Sequence, residues 1–488
     1  MSAELTKTGS LATRNKPAYY VNSAICVGIM MFFRFIPAVE PITDLGMNIL
    51  GIFLGMIYGW LTVGMAWPSL FGIIMLGLSG MMKVTAAFQS GFGNNTILLI
   101  LFSFILTGVL GTSGVAKYIA NRIVSFKIAR GKPWVLSFLL LLSIFVLSSV
   151  ISITAAVMVV WSMFYGICEV YGFEKGDKWP ALMLVGIAFS GSLAYQLFPF
   201  KSLPAVVIGN YTQLSGGDTI NFFRYFIWML ITDWLCIGIY LLAMKFIFKP
   251  DVSKISNSDA SIVQVESLTP YQRFILIYFI SYIVVMLLPS ILPADFAITV
   301  LLNQIGTTGV TALFVLGLVF LNFEAGGTLS EMFRPVNWDL IFLLIGALTI
   351  ASAISNADTG ITTWISEFMG PVLQGKSFLI FVFLLIIAAS LVTNFCNNMA
   401  TVSIFTPIAY SLCVAAGTGV NVKAIMVVLI TVCSTALTTP AGSTPAALIF
   451  GNKEWIPGKY PLILGFFCVA VTLVIMFCVG IPLANVLF

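Results

Sequence analysis

Each half of this chain carries two apolar segments interrupted by polar residues and proline, and the interruptions come in the same order in both halves. The first half reads Ser148-Ser149-Val150-Ile151-Ser152-Ile153-Thr154 and then Phe198-Pro199-Phe200-Lys201-Ser202-Leu203-Pro204. The second reads Thr393-Asn394-Phe395-Cys396-Asn397-Asn398-Met399 and then Thr439-Pro440-Ala441-Gly442-Ser443-Thr444-Pro445. A polar side chain or broken helix at membrane depth is costly unless it lines a cavity and binds something there. Matching interruptions in two halves therefore point to the central binding site of a secondary transporter.

That argument needs a membrane, and composition supplies it. Hydrophobic residues make up 60% of the chain and charged ones 8%, against roughly 25% charged in an ordinary soluble domain. Apolar runs near the ~20 residues that span a bilayer recur throughout. The expected fold class is an all-α polytopic membrane protein with about eleven full spans. Residues 1–16 are polar and carry Lys7, Arg14 and Lys16, which reads as a tail rather than a cleavable signal. The eight cysteines show no CxxC spacing and no histidine is present. Histidine-based zinc sites, triads and proton relays are thereby excluded, and the cysteines read as small core residues. No phosphate loop or pair of catalytic carboxylates appears, so neither an enzyme nor an ATP-driven pump is expected. The net charge of +5 lies mostly in loops and reports orientation rather than nucleic-acid binding.

The organisation expected is a tail and first span over 1–46, a first inverted repeat over 47–248, a cytoplasmic linker at 249–270 and a second repeat over 271–488. The first repeat holds a re-entrant hairpin at 134–168 and a broken helix at 180–211, with its break at 199–204. The second holds a hairpin at 375–416 and a broken helix at 423–451, with an amphipathic stretch at 356–372 before them. Of the 23 Lys and Arg, Arg34, Lys83, Arg224, Lys376 and Lys423 fall outside and Lys201 stands at membrane depth. The remaining 17 fall inside when the N-terminus is cytoplasmic, the bias of the positive-inside rule in a plasma membrane. The halves align at Ser152 with Asn397, Thr154 with Met399 and Gly172 with Gly417, and then at Pro199 with Pro440, Lys201 with Gly442, Ser202 with Ser443 and Pro204 with Pro445. An odd number of spans between them would insert the halves in opposite orientations.

Hairpin tips and helix breaks expose free N–H groups that attract anions and free carbonyls that, with Ser, Thr and Asn oxygens, suit Na⁺. With these four motifs in place the whole chain resembles the divalent anion/sodium symporter family of dicarboxylate and citrate transporters. The resemblance implies a Ser-Asn-Thr motif at each hairpin tip and a Thr-Pro-Pro-type motif at each break, together binding two Na⁺ and a dicarboxylate. It further implies a homodimer whose fixed scaffold carries moving transport domains, an elevator. No cofactor is expected beyond Na⁺ as coupling ion; the expected partners are a small organic anion, Na⁺ and membrane lipid.

The motifs depart from the family pattern in informative ways. The first tip reads Ser152, Ile153, Thr154, with isoleucine where the family has asparagine, and Lys201 stands where the family has a small residue beside the first sodium. An ammonium has three donors and no acceptor, so it cannot ligate Na⁺ but can stand where Na⁺ would. Lys201 therefore replaces the first sodium, or else ends a span and snorkels to the headgroups. At the second tip Thr393, Asn397, Asn398 and Gly442 keep an oxygen-rich set for Na⁺, or a polar patch that glues helices together. The substrate set implied is Ser152, Ile153, Thr154, Lys201, Ser202, Asn397, Asn398, Met399, Ser443 and Thr444. With Ile153 and Met399 it is less polar than a typical dicarboxylate pocket and leaves room for a bulkier di- or tricarboxylate. Sodium symport and sodium-independent carboxylate exchange both remain open. A rival of another class is a cation/proton antiporter in which Asp233 and Lys201 form the titrating pair.

Overall fold

The structure, a computed structural model, describes residues 16–256, 267–322, 329–334, 336–354, 356–361, 363–364, 367, 378–416 and 421–488. Gly417, Lys376 and eight of the 17 residues of the stretch 356–372 lie outside these residues. Every regular element among the described residues is helical. Among the described residues nine helices are long and apolar enough to cross a membrane, and shorter apolar helices accompany them. The chain divides into two compact units, residues 1–97, 337–376 and 410–418 in one and 98–336, 377–409 and 419–488 in the other.

In the first unit the helix Asp44–Thr62 presents Gly51, Gly55 and Gly59 on one face, four residues apart. A Cβ at these positions would meet Phe33, Met30 and the Cys26 thiol with Pro68. Small residues at this spacing let two helices approach closely where no hydrophobic effect drives them together. The loop before that helix is held to residues near 359, with the Thr43 N–H donating to Thr359 O at 3.1 Å and the Thr43 hydroxyl to Asp358 O at 2.8 Å.

The second unit is built round Lys178–Ala194, whose residues from Trp179 to Ala194 are all buried. A helix that is apolar all round belongs inside a bundle. Its neighbours are tied to it by polar groups that have no water to turn to. Ser148 donates to Gly191 O at 2.6 Å, Trp161 to Leu184 O at 3.2 Å, and Tyr240 to Leu182 O at 2.7 Å.

Around this post stand the elements that carry the interrupted motifs. Hairpin 1 is Pro133–Val150 and Ile153–Val170; broken pair 1 is Lys178–Ala194 and Ser202–Leu214. Hairpin 2 is Phe378–Phe395 and Asn398–Ala415; broken pair 2 is Val422–Ser434 and Thr444–Gly451. The expected hairpin bounds are 134–168 and 375–416, of which residues 375–377 lie outside the described residues. The first break opens earlier than expected, because Tyr195 already ends its helix and Lys201 is the residue that caps the next one. Ala297–Asn322 is kinked at Gly306, which takes a φ of +73°. Residues 113–133, which carry five Lys and Arg, contain the helix Val115–Val124.

Two ion pairs fix the direction of the broken pairs. Lys175, just before pair 1, meets Glu454, just after pair 2, at 2.5 Å. Asp218, after pair 1, meets Lys423, at the start of pair 2, at 2.8 Å. The two broken pairs thus run in opposite directions. Lys423 and the Tyr211 hydroxyl hold the Asp218 carboxyl below the usual carboxylate range.

The helix Tyr460–Ile475 approaches the second break at Gly465, where a Cβ would collide with the Leu437 carbonyl. Gly465→Ala is expected to destabilise the protein by about 1–3 kcal/mol through overpacking, read as a fall in melting temperature. Gly451→Ala, which meets open space, should leave that temperature near the parent value. Equal shifts for the two would contradict this packing.

Candidate functional site

Two polar clusters form at the interruptions, one in each half of the sequence. At the first, Pro133–Val150 ends at Ile151 and Ser152 caps Ile153–Val170, its hydroxyl accepting from Ala155 N at 3.4 Å. Helix-terminal carbonyls carry partial negative charge and favour a cation. Lys201 supplies it. Its Nζ donates to Ile151 O at 3.1 Å and lies 4.9 Å from the centre of the Tyr195 ring. Lys201 is only 4% exposed, so it does not reach for the headgroups as the snorkelling alternative required. Its backbone also caps Ser202–Leu214, which sets the ammonium beside a helix N-terminus, where anions are favoured.

Ser152, Tyr195, Lys201 and Ser202 line one small cavity together with Ser103 and Thr107. Its volume of about 30 Å³ is room for roughly one water. Tyr195 OH and Ser202 Oγ are 3.3 Å apart across it. Ile153 and Thr154, also expected here, do not line it. The sequence reading missed Tyr195, which belongs to the apolar run before the break, and it missed Ser103 and Thr107. The signal for the last two was their spacing of four residues, which puts both hydroxyls on one face of Asn95–Thr112.

At the second cluster the organising residue is Asn394, which was not expected as a site residue. Its Oδ1 accepts from Thr438 N at 2.9 Å and Thr438 Oγ1 at 2.7 Å, and its Nδ2 donates to Ser390 O at 2.7 Å. The Thr439 hydroxyl donates to the Asn394 carbonyl. Gly442 packs against the same carbonyl, where a Cβ would stand 3.0 Å from the oxygen. One amide therefore ties the tip of hairpin 2 to the break of pair 2.

Beside it, Thr393 Oγ1 lies 2.9 Å from Asn398 Oδ1 and 2.9 Å from Cys433 O. A hydroxyl has one proton, so three oxygens converge with a single hydrogen between them. Of the four residues expected to hold sodium, Thr393 and Asn398 meet directly and Gly442 stands one residue away through Asn394. Asn397 instead turns inward on its own backbone, its Oδ1 accepting from Met399 N at 2.9 Å. Met399 is buried, Thr444 is exposed, and Ser443 caps the helix after the break with its hydroxyl donated to Ala436 O at 2.7 Å.

Asp233 and Lys201 do not pair. Both Asp233 oxygens are buried without a hydrogen-bond partner among the described residues, while Lys201 is spent on Ile151 O and Tyr195. The expectation of a titrating pair is corrected on that ground. Asp233 lies on Phe222–Ala243, and Lys201 belongs to the first break.

Comparison with known proteins follows the same lines. A family model described as citrate transporter, CitMHS, matches residues 52–433. The sodium-dependent dicarboxylate transporter SdcS of Staphylococcus saprophyticus is 23% identical over 88% of this chain and 85% of its own length. SdcS of Staphylococcus aureus is 24% identical over 84% and 80%. Among solved structures, the Alcanivorax borkumensis YdaH transporter covers 96% of this chain and 97% of its own, with a TM-score of 0.58 at 12% identity. The Neisseria gonorrhoeae antimetabolite efflux pump MtrF covers 96% and 94%, at 0.54 and 13%. At these identities the two solved structures speak to the fold.

Removing the Asn394 side chain strands two buried donors at once, the Thr438 N–H and hydroxyl, each costing about 1–3 kcal/mol when left unmade. Asn394→Ala should therefore lower the melting temperature far more than Thr438→Val, which keeps the backbone N–H bond to Asn394 and loses about 1 kcal/mol. Equal losses in the two variants would mean that Asn394 does not organise the break.

Proposed function

The chain belongs to the citrate transporter family, and we propose that it is an elevator-type secondary transporter of di- or tricarboxylates in which Lys201 takes the place of one coupling sodium. The observation that carries this reading is the Lys201 Nζ contact with Ile151 O at the tip of hairpin 1. A backbone carbonyl at a helix end is the kind of ligand a sodium ion would use, and an ammonium holds it instead. A resident cation next to Ser152 and the capped start of Ser202–Leu214 offers a carboxylate one fixed positive charge and nearby N–H groups.

The second cluster keeps the oxygen set for an exchangeable Na⁺. Thr393 Oγ1, Asn398 Oδ1 and Cys433 O would hold the ion, and Asn394 and Gly442 would shape its surroundings. Sodium there neutralises part of the anion's charge and ties its binding to the Na⁺ gradient. The sodium dependence in the name of the SdcS relatives supports this over sodium-independent exchange. The opposite directions of the two broken pairs support an inverted repeat with re-entrant hairpins, the build that lets one site open to either side. The excess of Lys and Arg at one face supports a cytoplasmic N-terminus in the plasma membrane. Homodimerisation is our reading of Pro270–Ile291 and Ala297–Leu321, long apolar helices mostly uncovered in the single chain.

Thermal stability of the purified protein tests the reading across citrate, succinate and longer carboxylates, in Na⁺ and in choline. A ligand that binds only the folded state stabilises it by about 2.7 kcal/mol at a hundred times its Kd. The account expects a carboxylate to raise the melting temperature in Na⁺, less in choline, and hardly at all in Lys201→Gly. Full stabilisation of Lys201→Gly by the same carboxylate would remove the countercharge role.

A further inference from the structure

A second, larger cavity lies beside hairpin 1. Its volume is about 710 Å³, and it is walled on one side by Lys117 and Asn121 of Val115–Val124 and on the other by residues from Met158 to Val170. Its floor includes Ser162, Gly166 and Glu169. At 100° per residue, Ser152, Val159, Ser162, Gly166 and Val170 fall on one face of the helix arm. Ser152 lines the small Lys201 cavity and the others line the large one. At 1.5 Å per residue, the large cavity begins about 9 Å along the helix from Ser152 and runs on to its far end.

Lys117 is the one charged residue of the facing wall that lines the cavity. Residues 113–133 contain Lys117, Arg122, Lys127, Arg130 and Lys132 and no acidic residue. Lys117 is exposed and makes no ion pair among the described residues. The nearest opposing group on the floor is Glu169, at the outer end of the arm. An excess of one sign beside a low-dielectric cleft raises the local concentration of opposite ions.

We propose that this cavity is the aqueous approach by which the anion reaches the Lys201 pocket from the basic face of the protein, with Lys117 as the residue that draws it in. The inference rests on the anion-transport reading. Ser162 and Gly166 interrupt a floor otherwise built largely from Met158, Val159, Met163, Ile167 and Val170. Lys117 acts on the encounter and leaves the bound state to Lys201.

The test has two arms. In the first, Ser162→Cys and Gly166→Cys are treated from the basic face with a membrane-impermeant, negatively charged thiosulfonate, against the parent as background, and modification is read by mass. Ready modification of either, slowed by saturating citrate, is the expected result. No modification by the charged reagent, with labelling by an apolar maleimide from the bilayer, would show a lipid-filled groove and overturn the proposal. In the second, Lys117→Gln should raise the KM for citrate about three- to ten-fold at low ionic strength with the maximal rate unchanged. The difference should shrink in high salt and disappear in Lys117→Arg. An unchanged KM at low salt would remove Lys117 from the path. Modification by the charged reagent does not depend on turnover, so an open cavity in a protein that moves no citrate would sink the transport reading instead.

Discussion

One ammonium group donating to one backbone carbonyl, Lys201 Nζ to Ile151 O, shows the constraint on which both candidate sites depend. A helix that stops inside a bilayer leaves carbonyls and N–H groups that water cannot reach, and each costs several kcal/mol unless the protein answers it. Here the answers come from side chains on the neighbouring interrupted segment. Lys201 closes the end of one hairpin arm from the break that follows it. Asn394 does the reciprocal work in the second half, reaching from a hairpin arm to the break that follows. The two halves meet the same demand with different chemistry, a cation in one and a neutral amide in the other.

In the function we propose, that difference makes the two sites unequal. A fixed ammonium would not leave with the anion, whereas a sodium held by Thr393, Asn398 and Cys433 would. Burial works against the charge of the ammonium, and the Ile151 carbonyl and the face of the Tyr195 ring offset that cost. The amide leaves an oxygen cluster beside it with too few protons to satisfy itself, which a small cation would complete. Function thus follows from how each interrupted helix is closed.

Much of this was legible in the sequence, for identifiable reasons. The hairpins and the second broken pair follow from prolines and polar residues set in long apolar runs, a contrast that survives without any tertiary information. Lys201 stood out because a charge in such a run has so few places to go. Tyr195, Ser103 and Thr107 were hidden because aromatic and hydroxyl residues are ordinary in membrane helices, and only the packing of Asn95–Thr112 against the first break gives them a role. Asn394 was quoted but not chosen, since its worth lies in bonds to Thr438, forty-four residues away. The pairing of Lys201 with Asp233 failed because sequence reveals two buried charges without revealing that Lys201 is already engaged.

The claim at the centre of this account is that a lysine has taken over one sodium's work, and ion counting tests it most directly. Paired fluxes of radioactive Na⁺ and citrate into proteoliposomes give the number of sodium ions moved with each anion. The account predicts a single Na⁺ per anion, carried by the Thr393–Asn398 cluster and lost when Thr393 is replaced by valine. Two or more Na⁺ per anion would show that both sodium sites still work and that Lys201 replaces neither.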